Sequence, residues 1–273
     1  VPVIYFVSPQ LWAWKQGRIR RVKKFVDRML VIFPFEEDYY RRRQVAAEYV
    51  GHPLADLPLP QIPRERFAAK HGIDIAKQWI ALLPGSRKKE VLLNFPVMLE
   101  SARQLGDQYE YLVPVASTLS WDWMAGHLVG MRIHLVDDAR AALLHSRAAV
   151  VASGTATVEA ALIGTPFIVV YRVSGLSYAI GKRLVQVKNF GMVNLIAGRE
   201  IVPELIQTNF TPEMVVTQLR RFIPDGIDRT EMVRNLEAVR SMLRQVSGGT
   251  GDTAISRAAR AVVGMLPPAA SRG

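Results

Sequence analysis

Two stretches of this sequence place phosphate-binding chemistry at the start of a helix. In Leu82–Glu90, LLPGSRKKE, Gly85 frees the backbone for a tight turn after a strand-like run. Ser86 and the N–H groups that follow stand where a helix begins and an anion is favoured, and Arg87 offers a forked guanidinium to a phosphate. The same residues also read as an ordinary strand-to-helix turn with an exposed arginine. In Ser153–Tyr171, SGTATVEAALIGTPFIVVY, the residues Ser153, Gly154, Thr155 and Thr157 crowd small hydroxyls and bare backbone around a helix N-terminus. N–H groups, hydroxyl donors and the positive end of the helix dipole converge there, which suits a diphosphate. Glu159 follows Thr155 by four residues, on the same face. A carboxylate at that place can accept hydrogen bonds from the two vicinal hydroxyls of a ribose; the plainer reading is a first-turn charge favoured by the dipole.

Other candidates are weaker in kind. Within Lys188–Gln207, Asn194 reads either as a phosphate or sugar ligand or as a turn residue bonding its own backbone. Ser8–Phe25, SPQLWAWKQGRIRRVKKF, sets Ile19, Val22 and Val26 on one helical face and spreads Lys15, Arg18, Arg20, Arg21, Lys23 and Lys24 over the others, with Trp12 and Trp14 nearby. Such a helix suits an anionic membrane surface. A solvated basic face over core tryptophans is the bland alternative, and no nucleic-acid reader motif accompanies it. Asp137 and Asp138 lack a third ligand in view, so they read as a helix N-cap before Ala139 rather than a metal site. The histidines at 52, 71, 127, 134 and 145 are too scattered to suggest a metal cluster. No Walker or dinucleotide fingerprint is present, which argues against a P-loop or nicotinamide site. No cofactor is expected.

These residues need elements to hold them. Strand-like runs fall at Val3–Val7, Met29–Phe33, Trp79–Leu83, Tyr109–Val113, Arg132–Val136, Ala148–Ala152 and Pro166–Tyr171. They are continuous in hydrophobicity rather than alternating, as in parallel strands covered on both faces. Helix-like stretches separate them at Gln16–Val26, Glu36–Glu48, Lys89–Gln104, Thr118–His127, Ala139–His145 and Thr155–Ile163, and the chain reads as helical after Thr211. The chain is therefore expected to be α/β. With 273 residues, 49% of them hydrophobic and 22% charged, it can build a large core. The absence of cysteine excludes disulfides, thiolate metal sites and a cysteine nucleophile. Lys and Arg number 35 against 24 Asp and Glu, a net +11 that calls for a polyanionic partner. No apolar run is long enough to read as a membrane-spanning helix. The run LPLPQIP at Leu57–Pro63 reads as an interdomain linker. The segment before it, with two strands and two helices, is too small for a whole α/β domain and is expected to complete one that begins ahead of Val1.

Taken in order, SPQLWAW, the PFE of Pro34–Glu36, YVGHPLAD at Tyr49–Asp56, LLPGSRKKE, ASGTATVEAALIGTPFIVVYR and the run from Asn194 to Gln207 resemble one family, lipid-A-disaccharide synthase. The resemblance implies a GT-B fold of two Rossmann-like domains with a UDP-sugar donor in the cleft between them. It implies transfer of 2,3-diacylglucosamine from UDP to 2,3-diacylglucosamine 1-phosphate. By motif match, Gly85, Ser86 and Arg87 stand at the donor phosphates, Ser153, Gly154, Thr155 and Thr157 cradle the diphosphate, Glu159 holds the ribose and Asn194 lies nearby. Residues 1–57 are then the end of the N-terminal, acceptor-side domain, 58–227 the UDP-sugar domain, and 228–273 helices packing back toward the first. The chemistry implied is an inverting displacement without a metal. Family members carry roughly another hundred residues ahead of Val1, with the proposed catalytic aspartate among them, so no catalytic base is assigned here and these residues alone are expected to be inactive. A cytoplasmic location at the inner face of the bacterial inner membrane follows, with a homodimer open. The competing readings are another UDP-sugar transferase or epimerase of the same fold, such as the peptidoglycan GlcNAc transferase, and a non-catalytic basic module.

Overall fold

The computed structural model describes residues 2–13, 16–128, 130–173, 191–244 and 252–266. Among these, residues up to Leu57 and from Arg240 onward form one compact unit, and residues from Pro58 to Val239 form another. The division falls at the start of the proline-rich LPLPQIP run.

The first unit holds three parallel strands, β1 (Ile4–Phe6), β2 (Arg28–Val31) and β3 (Ala47–Tyr49), in that spatial order. Helix α1 (Ile19–Phe25) follows a 3₁₀ turn at Gln16–Arg18 and returns the chain from β1 to β2. It buries Val22 and exposes Arg20, Arg21, Lys23, Lys24 and Phe25. Trp14 and Lys15 lie outside the described residues. Helix α2 (Pro34–Arg41) starts with proline in its first turn and takes Glu36 as its cap, since the Phe33 N–H donates to Glu36 Oε2 at 3.2 Å. The expected helix Glu36–Glu48 therefore begins earlier and ends at Arg41. Gln44 turns the backbone at φ +57°, and Ala47–Tyr49 pairs with β2. Gln-Val-Ala-Ala-Glu is acceptable in a helix, but extending it lets Val45 and Tyr49 reach the core of Leu11, Met29, Val31 and Tyr40.

The second unit is a parallel sheet between helices. In chain order it contains α3 (Arg64–His71), β4 (Gln78–Leu83), α4 (Lys88–Leu105), β5 (Tyr109–Pro114), α5 (Trp121–Ala125), β6 (Ile133–Val136), α6 (Ala139–His145), β7 (Ala148–Ala152), α7 (Thr155–Ile163), β8 (Phe167–Tyr171), α8 (Met192–Ala197), β9 (Glu204–Ile206) and α9 (Pro212–Phe222). Helix α10 (Ile227–Arg244) belongs to it as far as Val239, and α11 (Ala254–Val263) belongs to the first unit. The strand order is β6-β5-β4-β7-β8-β9, every pairing parallel. Trp79–Leu83, Ala148–Ala152 and Phe167–Val170 are buried throughout, which explains their unbroken hydrophobicity. Val91, Phe95, Met98, Ala102 and Leu105 form the buried stripe of α4.

Sequence periodicity missed α3 and β9. It also overextended α5, which runs only from its Ser120 cap to Ala125. The described part of Lys188–Gln207, read as loop, contains α8 and β9; residues 188–190 lie outside the described residues. Among the described residues no helix is long and apolar enough to cross a membrane.

Candidate functional site

The chain order reverses between β4 and β7, neighbours in the sheet whose helices leave in opposite directions along it. In such sheets the crevice beyond the strand C-termini at this point is where a ligand fits. A cavity of about 520 Å³ opens there, within the size range of small-molecule sites. Its walls are Gly85, Ser86 and Arg87 after β4, Val115, Ala116 and Ser117 after β5, Asp137 after β6, and Ser153, Gly154, Thr155 and Glu159 after β7. Of the residues the sequence pointed to for the donor, Gly85, Ser86, Arg87, Ser153, Gly154, Thr155 and Glu159 line this cavity, and Thr157 and Asn194 do not.

Helix α7 is built to leave its first turn open. Gly154 is its N-cap at φ +155°, ψ −162°, a conformation that side-chain-bearing residues avoid. A β-carbon there would meet nothing within 4 Å, so the requirement is conformational rather than steric. No side chain caps the helix, which leaves the N–H groups of Thr155 and Ala156, both in the cavity wall, for a ligand. Thr157 is fully buried, and its hydroxyl donates to the Gly154 carbonyl at 2.7 Å. It tightens the turn from behind instead of lining the cavity. Glu159, half-buried one turn along, has its carboxyl pushed up by burial, with the Arg140 guanidinium pulling the other way and Asp138 adding to the rise.

The turn after β4 differs from expectation. Its N–H groups do not face an open site: those of Ser86 and Arg87 donate to Glu90 Oε2 at 3.1 and 3.3 Å, and Arg87 Nη1 donates to Glu90 Oε1 at 2.8 Å. Gly85, at φ +123°, makes room for this, because a β-carbon there would sit 2.8 Å from both Glu90 Cβ and Oε2. Arg87 itself is largely exposed. Behind the turn, the buried Asn94 donates from Nδ2 to the Pro84 carbonyl at 3.1 Å and accepts the Arg172 N–H on Oδ1 at 3.1 Å, tying the β4 turn to the end of β8. The Thr118 hydroxyl donates to the Ser86 carbonyl from the other side. Sequence reasoning missed Glu90 and Asn94. Glu90 stands three residues after Arg87, the spacing of a capping box, and Asn94 is one of two polar residues, with Ser101, on the buried face of α4.

The pair after β6 divides its roles. Asp138 caps α6, accepting the Ala141 N–H at 2.9 Å. Asp137 is paired with Lys70, which holds its carboxyl below the usual range, and lies 3.1 Å from His71 Nε2.

Asn194 stands elsewhere. It is fully buried, donates from Nδ2 to the Val202 carbonyl at 2.8 Å and to Glu204 Oε1 at 2.7 Å, and accepts the N–H groups of Ile201 and Val202 at 2.8 and 3.0 Å. Its amide is consumed in fastening α8 to β9, so it has no hydrogen-bonding capacity left for a sugar or phosphate.

A family model described as lipid-A-disaccharide synthetase matches residues 1–251 of this chain. The lipid-A-disaccharide synthases of Koribacter versatilis and Acidobacterium capsulatum are each 51% identical to it, over 96% and 97% of the chain, and the chain covers 69% of each. Among solved structures, the glycotransferase of kitacinnamycin is similar over 98% of the chain and 71% of its own length, with a TM-score of 0.59 at 15% identity. Arabidopsis thaliana UGT89C1 complexed with UDP-L-rhamnose is similar over 97% of the chain and 67% of its own, with a TM-score of 0.57 at 11% identity. The structural likenesses establish the fold, the α/β architecture of the GT-B glycosyltransferases.

Proposed function

The chain belongs to the lipid-A-disaccharide synthetase family, and from that premise we propose which of its residues hold the donor nucleotide and how it meets its lipid substrates. The family's reaction moves 2,3-diacylglucosamine from its UDP donor to 2,3-diacylglucosamine 1-phosphate, giving the lipid A disaccharide 1-phosphate and UDP. This chain is a glycosyltransferase chain of that kind.

In our reading the 520 Å³ cavity at the reversal point is the UDP site. One observation carries it: the uncapped first turn of α7, Arg87 and Glu159 all open onto the same cavity. The diphosphate meets the N–H groups of Thr155 and Ala156 and the hydroxyls of Ser153 and Thr155. Glu159 accepts the ribose hydroxyls. As the bond from the anomeric carbon to the β-phosphate oxygen breaks, negative charge grows on UDP, and the α7 N-terminus and Arg87 stabilise it there. Thr157 supports this arrangement by fixing the turn, and Asn194 has no part in it.

Calorimetric titration with UDP tests the assignment. Gly154→Ala forces the α7 cap out of its conformation and should weaken UDP at least about tenfold while the far-ultraviolet circular dichroism stays unchanged. Undiminished UDP affinity would place the diphosphate elsewhere.

Both sugar substrates carry acyl chains, so the protein must work at a lipid surface. We assign that contact to α1, whose Arg20, Arg21, Lys23 and Lys24 are exposed beside Phe25, itself 59% exposed. Each such cation near an anionic bilayer contributes about 1 kcal/mol, screened by salt. The chain should sediment with anionic vesicles at low salt and not with neutral ones. Reversing those four charges should abolish sedimentation; binding that survives the reversal would assign the contact to another surface.

A further inference from the structure

The Gly85–Arg87 turn lines the cavity and carries three donors, and in this structure one carboxylate takes all of them. Ser86 N–H, Arg87 N–H and Arg87 Nη1 converge on the two oxygens of Glu90 at 3.1, 3.3 and 2.8 Å. This is the donor set a phosphate would use: two successive backbone N–H groups and a guanidinium. Glu90 is itself part of the cavity wall, and the bare Cα of Gly85 is what lets its carboxylate lie against the turn. We propose that Glu90 is an internal anion that occupies the phosphate donors of this turn in the empty site, gives them up when the donor's diphosphate arrives, and returns to them as UDP leaves.

The inference rests on the reading of this cavity as the UDP site. Given that reading, a carboxylate and a diphosphate compete for one set of donors, and two anions within a few ångströms repel each other. Glu90 therefore weakens binding of a charged nucleotide and has no such effect on a neutral nucleoside. It also satisfies the turn's N–H groups while the site is empty, so the turn is held in shape before the ligand comes. A residue that merely capped α4 would behave differently. Its loss would loosen the turn and weaken the binding of UDP.

Glu90→Gln separates the two roles, because the amide keeps the shape and one acceptor oxygen but removes the charge. UDP and uridine are titrated calorimetrically into the wild type, Glu90→Gln and Glu159→Ala, at low and high salt. Glu90→Gln should tighten UDP by about three- to tenfold at low salt, the range for a like charge at a partly exposed site. The gain should shrink as salt rises, appear as slower UDP dissociation in stopped flow, and be absent for uridine. UDP binding that is unchanged or weaker in Glu90→Gln overturns the proposal. So does a gain for uridine as large as the gain for UDP, since that reports a change of shape and not of charge. Glu159→Ala keeps the two levels of the argument distinct. If it loses UDP and uridine while Glu90→Gln gains nothing, only the role of Glu90 fails; if it loses neither, the reading of the cavity fails.

Discussion

Replacing Glu159 by alanine is the sharpest perturbation of the proposed nucleotide site. The carboxylate is half-buried, so part of its hydration is already lost in the empty protein. Its hydrogen bonds to ribose then replace comparatively few water contacts. A hydrogen bond to a charged group contributes about 1.5–3 kcal/mol, and two of them, offset by desolvation of the hydroxyls, give a net of about 1–3 kcal/mol. Glu159→Ala should thus weaken UDP by about 5- to 150-fold. With 2′-deoxy-UDP, which keeps one of the two hydroxyls, the same substitution should cost about half as much free energy. Calorimetry on both proteins with both ligands closes the cycle. The pH dependence carries a further sign. Burial raises the Glu159 carboxyl, whereas ribose hydroxyls donate to its ionised form. Binding therefore releases the proton, and affinity falls as pH drops through the raised value. Uridine shows this without interference from a titrating phosphate, and Glu159→Gln should abolish the slope. Equal affinities of wild type and Glu159→Ala, or an equal loss for UDP and its 2′-deoxy analogue, would refute the ribose contact.

Substitutions at three further positions divide chemistry from scaffolding. In transferase assays on a version that also carries the family's N-terminal half, Arg87→Ala should lower kcat at least about tenfold with a smaller change in KM, and Arg87→Lys should recover only part, because the ammonium lacks the fork; unchanged kcat would remove Arg87 from the transition state. Asn194→Ala should cost about 2–4 kcal/mol in urea unfolding, since it strands several buried backbone groups, while the folded protein binds UDP within about twofold of wild type. A loss of UDP affinity without loss of stability would return Asn194 to the nucleotide. Burial raises Glu36 from its ordinary 4.5 to about 7, so the native state favours the protonated form. Its contribution is complete below pH 4.5 and is lost as pH rises through 7, by about 2–4 kcal/mol. Glu36→Gln should flatten that decline between pH 5 and 8 in thermal melts, and an unchanged decline would show that Glu36 is not its source.

The β7–α7 segment was legible because each of its features is local. The buried strand, the glycine cap and the carboxylate one turn along are all written within Ala148–Glu159, and the fold has only to point them at one cavity. The turn after β4 was half legible. Glycine and arginine suggested donors for an anion, but that the Glu90 carboxylate takes them depends on a side-chain rotamer that spacing alone does not set. Asn194 stayed between two readings for the opposite reason. Only the pairing of β9 with β8 shows that its stretch is buried and that the backbone there needs the amide. Strands β3 and β9, of three residues each, are too short to carry a periodicity; they exist because a neighbouring edge is there to pair with.

The sequence runs most specific to the family and the residues proposed to hold the nucleotide are largely different sets. SPQLWAW and GHPLAD narrow the resemblance to one family, yet in the structure their described residues and those of PFE hold one another. The Trp12 indole N–H donates to Glu36 Oε1 at 3.0 Å, the hydroxyls of Ser8 and Tyr40 lie 2.6 Å apart, and Glu36 caps the helix that Pro34 opens. His52 accepts the Leu54 N–H at 3.2 Å, packs on Phe33, and is pushed down to about 4 by burial, which keeps it neutral. Asp56 accepts the Ala254 N–H at 2.6 Å, so the same motif anchors α11. A buried polar network of this kind tolerates no single replacement, because each loss strands a partner. Its residues are therefore constrained by one another. The cavity proposed for the nucleotide obeys a looser rule: an open helix start, an arginine and a carboxylate can be supplied by many sequences on this sheet. That is why SGTATVE alone could not have distinguished one UDP-sugar enzyme from another, and why a rigid scaffold motif could.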